Sequence, residues 1–345
     1  MSDETSRGPM SDSVSNKIQS LTAIRRPGRR MPPELSVLRR RTRIQVDWID
    51  VDGVRLRYGI RRGRGRPMLI LNTIGANLDM LLPLVNALDD AEIIVPEMPG
   101  AGRSPPRSMP HRLSWYAALI ATFLERLGYD ESLDLVGLSW GGSLAQQFAL
   151  DYPAQVNRLV LASSSIGWPS LATHSSTLKR LAAARRHERS GTLPATVAGL
   201  YGGLMRRRPE LITRRGRYAS GPSTRGYVNQ LIASLGWTSA HRLHRLHCPT
   251  LIMGGDDDPI VPLINSRILY WLIPKSYLHI VRGGGHLFLL MRANESAGVI
   301  RRFLNERRYD GTDGADYYAA RGLGPDGALV PRLPGRTSEA SKPAT

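Results

Sequence analysis

Gly137-Leu138-Ser139-Trp140-Gly141 decides the reading of this chain. It has the form G-x-S-x-G, preceded by the largely apolar run Leu133 to Val136 and followed by a helix-compatible segment, Ser143 to Leu150. In that setting the motif is a statement about backbone geometry. A serine on a tight strand-to-helix turn must stand clear of its neighbours in sparsely populated φ/ψ space, and Gly137 and Gly141 leave room where a Cβ would collide. The turn exposes Oγ, and the helix N-terminus behind it favours developing negative charge. The motif is short, and a glycine-rich turn with an incidental serine has the same letters, so the rest of the chain must arbitrate.

A nucleophilic serine needs a base, and the base needs an orienting acid. Pro249 to Gly255 is a short apolar strand pattern running into Asp256-Asp257-Asp258-Pro259-Ile260-Val261-Pro262. Ser276 to Val281 is another strand pattern, and it ends in Gly283-Gly284-Gly285-His286. An acid and a histidine therefore each follow the C-terminal end of a predicted strand, where open α/β sheets place their reactive groups. The order Ser139, Asp258, His286 is the one this architecture uses.

Outward from these motifs the pattern alternates. Ile44 to Ile49 and Val54 to Ile60 flank Val51-Asp52-Gly53, a hairpin signal. Met68 to Leu71 and Ile93 to Val95 read as short buried strands, with a helix over Asp79 to Leu88 between them. Ser114 to Leu127 reads as an amphipathic helix with Ser114 as its N-cap. Val156 to Ala162 is the strand after the serine helix, and Ser296 to Arg307 a final helix. Such alternation predicts an α/β fold with a mostly parallel sheet covered on both faces. Residues 166–245 lack strand alternation but hold helical stretches, Leu178 to Arg189 and Thr192 to Leu204. Their position between the strand after the serine and the strand before the acid predicts an inserted helical cap. The expected organisation is a disordered basic tail over 1–44, core over 45–165, cap over 166–245, core over 246–308, and a second disordered tail over 309–345.

With these motifs in place, the chain resembles the α/β-hydrolase superfamily, and within it the intracellular medium-chain poly(3-hydroxyalkanoate) depolymerases. The resemblance rests on Leu71 to Asn77, Gly137 to Gly142, Ala145 to Ala149, Gly236 to Ser239, Gly255 to Pro259 and Gly285 to Leu289. It implies the α/β-hydrolase fold, an eight-stranded sheet whose first part is antiparallel. It favours Asp258 among the three aspartates, because Asp258 and Pro262 fit the family pattern Asp-x-x-x-Pro. It also implies an oxyanion hole made by two backbone N–H groups, those of Trp140 and Ile74. One departure stands out: the usual His-Gly or Asn-Gly pair is Asn72-Thr73 here, so a left-handed backbone at that glycine would strain Thr73. The activity implied is ester hydrolysis through an acyl-enzyme, on 3-hydroxyalkanoate polymer or its oligomers. The alternatives are a small-ester or lipid esterase, a lactonase, an acyltransferase, or a non-catalytic binding protein on the same scaffold.

Neither an organic cofactor nor a metal is required by this chemistry. The repeat His241, His244, His247 lacks a cysteine or acid to complete a tetrahedral set and is read as an exposed helical face. Gly100-Ala101-Gly102 is read as the turn after the Ile93 strand. Cys248, the single cysteine, is read as packing, and no run approaches the roughly 18 apolar residues of a membrane helix. A cytoplasmic setting is expected, with association to storage granules. The net charge is +18. Ten basic against four acidic residues fall in the first 45, and fourteen against two between 165 and 245. The plain explanation is a solvated, arginine-rich surface; the sharper one is docking of the tail and cap on an anionic granule or membrane surface. The expected partner of the site is a hydrophobic ester. No groove-reading or base-stacking motif accompanies the arginines, so no specific nucleic acid is expected.

Overall fold

The computed structural model describes residues 43–88, 90–168, 199–208 and 223–305. Strand β1 (Gln45–Val51) folds back antiparallel on β2 (Val54–Arg61), with Val51 paired to Val54. Both turn residues have positive φ, 51° at Asp52 and 74° at Gly53. That is the twist a two-residue hairpin needs, and Asp-Gly supplies it at low cost.

β3 (Arg64–Leu71), β4 (Ala91–Pro96), β5 (Leu133–Leu138), β6 (Val156–Ala162), β7 (Thr250–Gly255) and β8 (Ser276–Val281) complete one eight-stranded sheet in the order β1-β2-β4-β3-β5-β6-β7-β8. Pairing is antiparallel up to β2–β4 and parallel from there to β8. The predicted mostly parallel sheet with an antiparallel start is the observed one. β5 and β7 are buried throughout, as strands covered on both faces must be. Their period of two sorts side chains between the faces. Leu69, Leu135 and Leu161 enter a core with α2 (Leu113–Arg126) and α3 (Trp140–Asp151). Ile70, Val136 and Val160 enter a second core with α1 (Leu82–Ala87) and the C-terminal helices.

Several helix boundaries depart from expectation. The helix expected over Asp79 to Leu88 is a 3-10 turn, Leu78–Leu81, followed by α1. Pro83 explains the break: it has no N–H to donate back to Asp79, so one continuous helix cannot run through it. Ser114 is not a cap; α2 begins at Leu113, fully buried, with Arg112 at the cap position and no side-chain capping bond. α3 starts at Trp140, three residues early, because it leaves β5 directly through Ser139.

Between β6 and β7 the described segments contain a 3-10 turn (Gly199–Tyr201), α4 (Gly203–Arg207) and α5 (Thr224–Ser234), capped by the Ser223 side chain. A bridge between Gly167 and Thr238 joins the two ends of this insertion. The helix expected over Leu178 to Arg189 lies outside the described residues. So does most of the one over Thr192 to Leu204, whose described end breaks at Gly202, φ 65°. The two expected tails lie outside them too, apart from Arg43 and Ile44. α6 (Leu263–Leu272) follows β7, while α7 (Phe288–Met291) and α8 (Ala293–Asn305) close the fold. None of the helices among the described residues is long and apolar enough to cross a membrane.

One buried ion pair organises the edge where the loops meet. Arg57 on β2 and Glu97 after β4 lie 2.6 Å apart, their side chains 4% and 0% exposed. Glu97 also accepts the N–H of Leu78 at 2.9 Å and of Arg103 at 2.8 Å. It therefore ties the loops after β3 and β4 to β2. Burial pushes its carboxyl up from the usual range, and Arg57 opposes that shift. Gly102, φ 53°, is obligatory here, since a Cβ would stand 2.4 Å from the carboxylate. Removing the cation leaves a buried charge uncompensated. Arg57→Leu is expected to lower unfolding stability by roughly 3–5 kcal/mol in urea titrations. Adding Glu97→Leu should recover only part, because the Leu78 and Arg103 N–H groups lose their acceptor.

Candidate active site

Ser139 has φ 56° and ψ −116°, far outside the comfortable regions for a non-glycine residue. Its neighbours explain how it stays there. Its N–H donates to the Ala162 carbonyl at 2.8 Å, and its own carbonyl accepts from Gly142 at 2.8 Å and Ser143 at 3.2 Å. A Cβ on Gly137 would stand 2.5 Å from the Gly141 oxygen; one on Gly141 would stand 2.2 Å from the Leu71 oxygen. Both motif glycines are thus required by close backbone approach, and Gly141 brings the loop after β3 against the serine turn.

His286 reaches this turn from the loop after β8. Its Nε2 lies 2.9 Å from Ser139 Oγ, and its Nδ1 lies 2.9 Å from Asp258 Oδ2 and 3.2 Å from Oδ1. Asp258 and His286 are buried. The second Asp258 oxygen, Oδ1, accepts the N–H groups of Ile260 and Val261, each at 2.9 Å, so the carboxylate is fixed before it meets the ring. The histidine backbone is also held: its N–H donates to Tyr201 O at 2.7 Å, and its carbonyl accepts the Ser163 hydroxyl at 2.9 Å. The structure brings together all three residues expected from the sequence.

The three consecutive aspartates have three different partners. Asp256 accepts the Gly283 N–H at 2.6 Å. Asp257 accepts the Gly203 N–H at 2.8 Å and pairs with Arg206. Only Asp258 faces the imidazole. The run is three loop anchors, and among the described residues no three His, Cys, Asp or Glu side chains gather to hold an ion. His241, His244 and His247 are exposed, and they straddle a 3-10 turn, Leu243–Arg245, rather than an α-helix. Gly100 and Gly102 lie in the turn after β4. Cys248 is half-buried, and burial raises its thiol above the usual range.

Trp140 is the first residue of α3, so its N–H has no partner within the helix. Ile74 lies in the loop after β3, inside a turn closed by the Ala76 N–H on Thr73 O at 3.1 Å. The strain anticipated at Thr73 is absent: the left-handed residue is Gly75, φ 65°, and Thr73 is not among those with positive φ. Thr73 instead donates its N–H to its neighbour's Asn72 Oδ1 at 2.8 Å, while Asn72 Nδ2 donates to Asn77 O at 2.8 Å. Sequence reading missed the supports, Tyr201 and Ser163. The signal for Tyr201 was the adjacent Gly202-Gly203 pair, where side chains would strike Asp257 O and Gly285 N.

A family model described as alpha/beta hydrolase fold matches residues 66–293. A poly(3-hydroxyalkanoate) depolymerase of Ectopseudomonas oleovorans is 41% identical over 75% of this chain and 92% of its own. A dihydrolipoyllysine-residue acetyltransferase component of an acetoin cleaving system from Cupriavidus necator is 26% identical over 74% of this chain and 68% of its own. Among solved structures, an enol-lactonase from Burkholderia xenovorans LB400 superposes with a TM-score of 0.66 at 19% identity, covering 75% of this chain and all of that one. With the sheet order, the serine turn and the family match in agreement, the chain belongs to the alpha/beta hydrolase fold family.

Proposed function

We propose that this hydrolase cleaves carboxylic esters through an acyl-enzyme, with Ser139 as nucleophile, His286 as general base and acid, and Asp258 as the orienting carboxylate. The observation that carries the reading is the continuous chain from Ser139 Oγ through both imidazole nitrogens to Asp258, with 2.9 Å at each link. As Oγ bonds to the ester carbon, His286 Nε2 takes its proton and the carbonyl electrons move to oxygen. The Trp140 and Ile74 N–H groups serve that oxygen, aided by the positive end of α3. Collapse breaks the C–O bond, and the leaving alkoxide takes the proton from His286. Water then repeats the sequence on the acyl-enzyme, and the acid leaves with Ser139 restored.

The substrate class proposed is poly(3-hydroxyalkanoate) or its oligomers. Similarity to the Ectopseudomonas depolymerase supports it. The insertion over 166–245 acts as a cap that excludes water and shapes the acyl pocket. Its helix α5 supports an apolar substrate phase: Val228, Leu231 and Ile232 are exposed along one side, followed by exposed Leu235 just past the helix end. The basic excess of tail and cap supports docking on the anionic lipid coat of a cytoplasmic storage granule.

Incubation with amorphous medium-chain polyester latex is expected to release 3-hydroxy acids, with Ser139→Ala reduced to background. Asp258→Asn should lower kcat by about 10⁴-fold through loss of the correct imidazole tautomer. No release by folded wild type removes the depolymerase reading; hydrolysis of p-nitrophenyl or lactone esters by the same sample would then name the class instead. Sedimentation with anionic phospholipid vesicles is expected at low salt, to weaken with added salt, and to survive deletion of residues 1–44. Absence of binding at low salt removes the docking step.

A further inference from the structure

α5 presents an unusual inward face. Gly226, Asn229, Gln230 and Ala233 are buried, while its larger aliphatic side chains, Val228, Leu231 and Ile232, are exposed. Gln230 is only 1% exposed, although burying a carboxamide is unfavourable unless its polar atoms find partners. They do, in the loops after β3 and β4. Oε1 accepts the Gly75 N–H at 2.7 Å. Nε2 donates to Pro99 O at 3.2 Å. The Gln230 backbone carbonyl accepts the Trp140 indole N–H at 2.9 Å. The helix can approach this closely because a glycine faces a glycine: a Cβ on Gly226 would stand 2.3 Å from Gly100 Cα.

Resting on the hydrolase reading above, we infer that Gln230 is a positioning residue, which sets the oxyanion loop from the insertion. Ile74 and Gly75 are the two central residues of the turn closed by Ala76 on Thr73. With positive φ at Gly75, the peptide between them takes the orientation of a type II turn. The N–H of that peptide is the one Gln230 accepts. Without this acceptor a buried N–H is left unpaired, and the peptide must turn to find another partner. The turn carries Ile74, so its N–H would be displaced from the position the developing oxyanion requires. The same residue's main chain holds the Trp140 side chain beside the other donor. Asn229 provides a contrast within one helix. Its carboxamide is also buried, but it donates to Arg107 O at 3.0 Å and Met109 O at 3.4 Å, away from the turn.

The test uses the full chain, a soluble p-nitrophenyl ester, and phenylboronic acid as a tetrahedral mimic of the oxyanion. Q230L is expected to lower kcat by about tenfold or more, with KM changed by less than about twofold and boronate affinity falling together with kcat. N229L should lower the urea midpoint and leave kcat near wild type. Should Q230L fail to fold, Q230M removes the same polar atoms with an unbranched chain. The inference is overturned if Q230L or Q230M keeps wild-type kcat, if either variant changes KM rather than kcat, or if N229L loses as much. A folded wild type that cleaves no ester fails the hydrolase reading itself, which these variants do not address.

Discussion

The structure around the site depends on holding one L-residue where L-residues seldom sit. At φ 56° and ψ −116°, Ser139 carries a local cost of order 1–3 kcal/mol. Nothing within the residue offsets it. The offset comes from β6, whose Ala162 accepts the serine N–H, and from the first turn of α3, whose N–H groups take its carbonyl. Glycines on either side let β3, β5 and α3 close to backbone contact. A central parallel sheet is what makes this affordable, since the strands flanking β5 each pair with a further strand on their other edge and resist adjustment.

Two buried carboxylates at this edge of the sheet show how partners set roles. Glu97 meets a permanent cation, Arg57, and two backbone N–H groups, and its bonds tie the loops after β3 and β4 to β2. Asp258 meets two backbone N–H groups on one oxygen and an imidazole on the other. The first arrangement has no group that can pass on a proton and works as a clasp. In the second, the imidazole has its far nitrogen on a serine hydroxyl, so fixing the carboxylate fixes a ring that can exchange protons. The difference lies in one partner.

Much of this was legible in the sequence wherever short-range rules dominate. β6 and β8 match their predicted bounds, because apolar runs bordered by turn residues leave few alternatives. The positions of Ser139 and His286 followed from strand ends and chain order, while Asp258 was singled out from its two neighbours by the resemblance, through its spacing to Pro262. The helix beginning at Leu82 was misread because periodicity outweighed Pro83, although the proline carries the decisive constraint. The worry over Thr73 came from comparing letters by position, whereas the loop takes its left-handed step two residues later, at Gly75. The different partners of Asp256, Asp257 and Asp258 could not be read at all, since they depend on Gly203, Arg206 and Gly283, distant in sequence. Glu97 was equally hidden, because a lone glutamate gives no sign of the arginine forty residues earlier.

Helix α5 was the least legible element, and its inversion has a physical reason. A helix lying on a sheet buries apolar residues because the sheet offers only side chains. This one lies on loops, and loops offer backbone groups: the Gly75 N–H and the carbonyls of Pro99, Arg107 and Met109. Carboxamides and small residues suit such a surface, so Asn229, Gln230, Gly226 and Ala233 turn inward and the larger aliphatic side chains remain outside. Hydropathy alone therefore points the helix the wrong way round. The consequence is that one face of a single helix is hydrogen-bonded to the loops beside Ser139 and to the Trp140 side chain, while the opposite face leaves aliphatic side chains exposed.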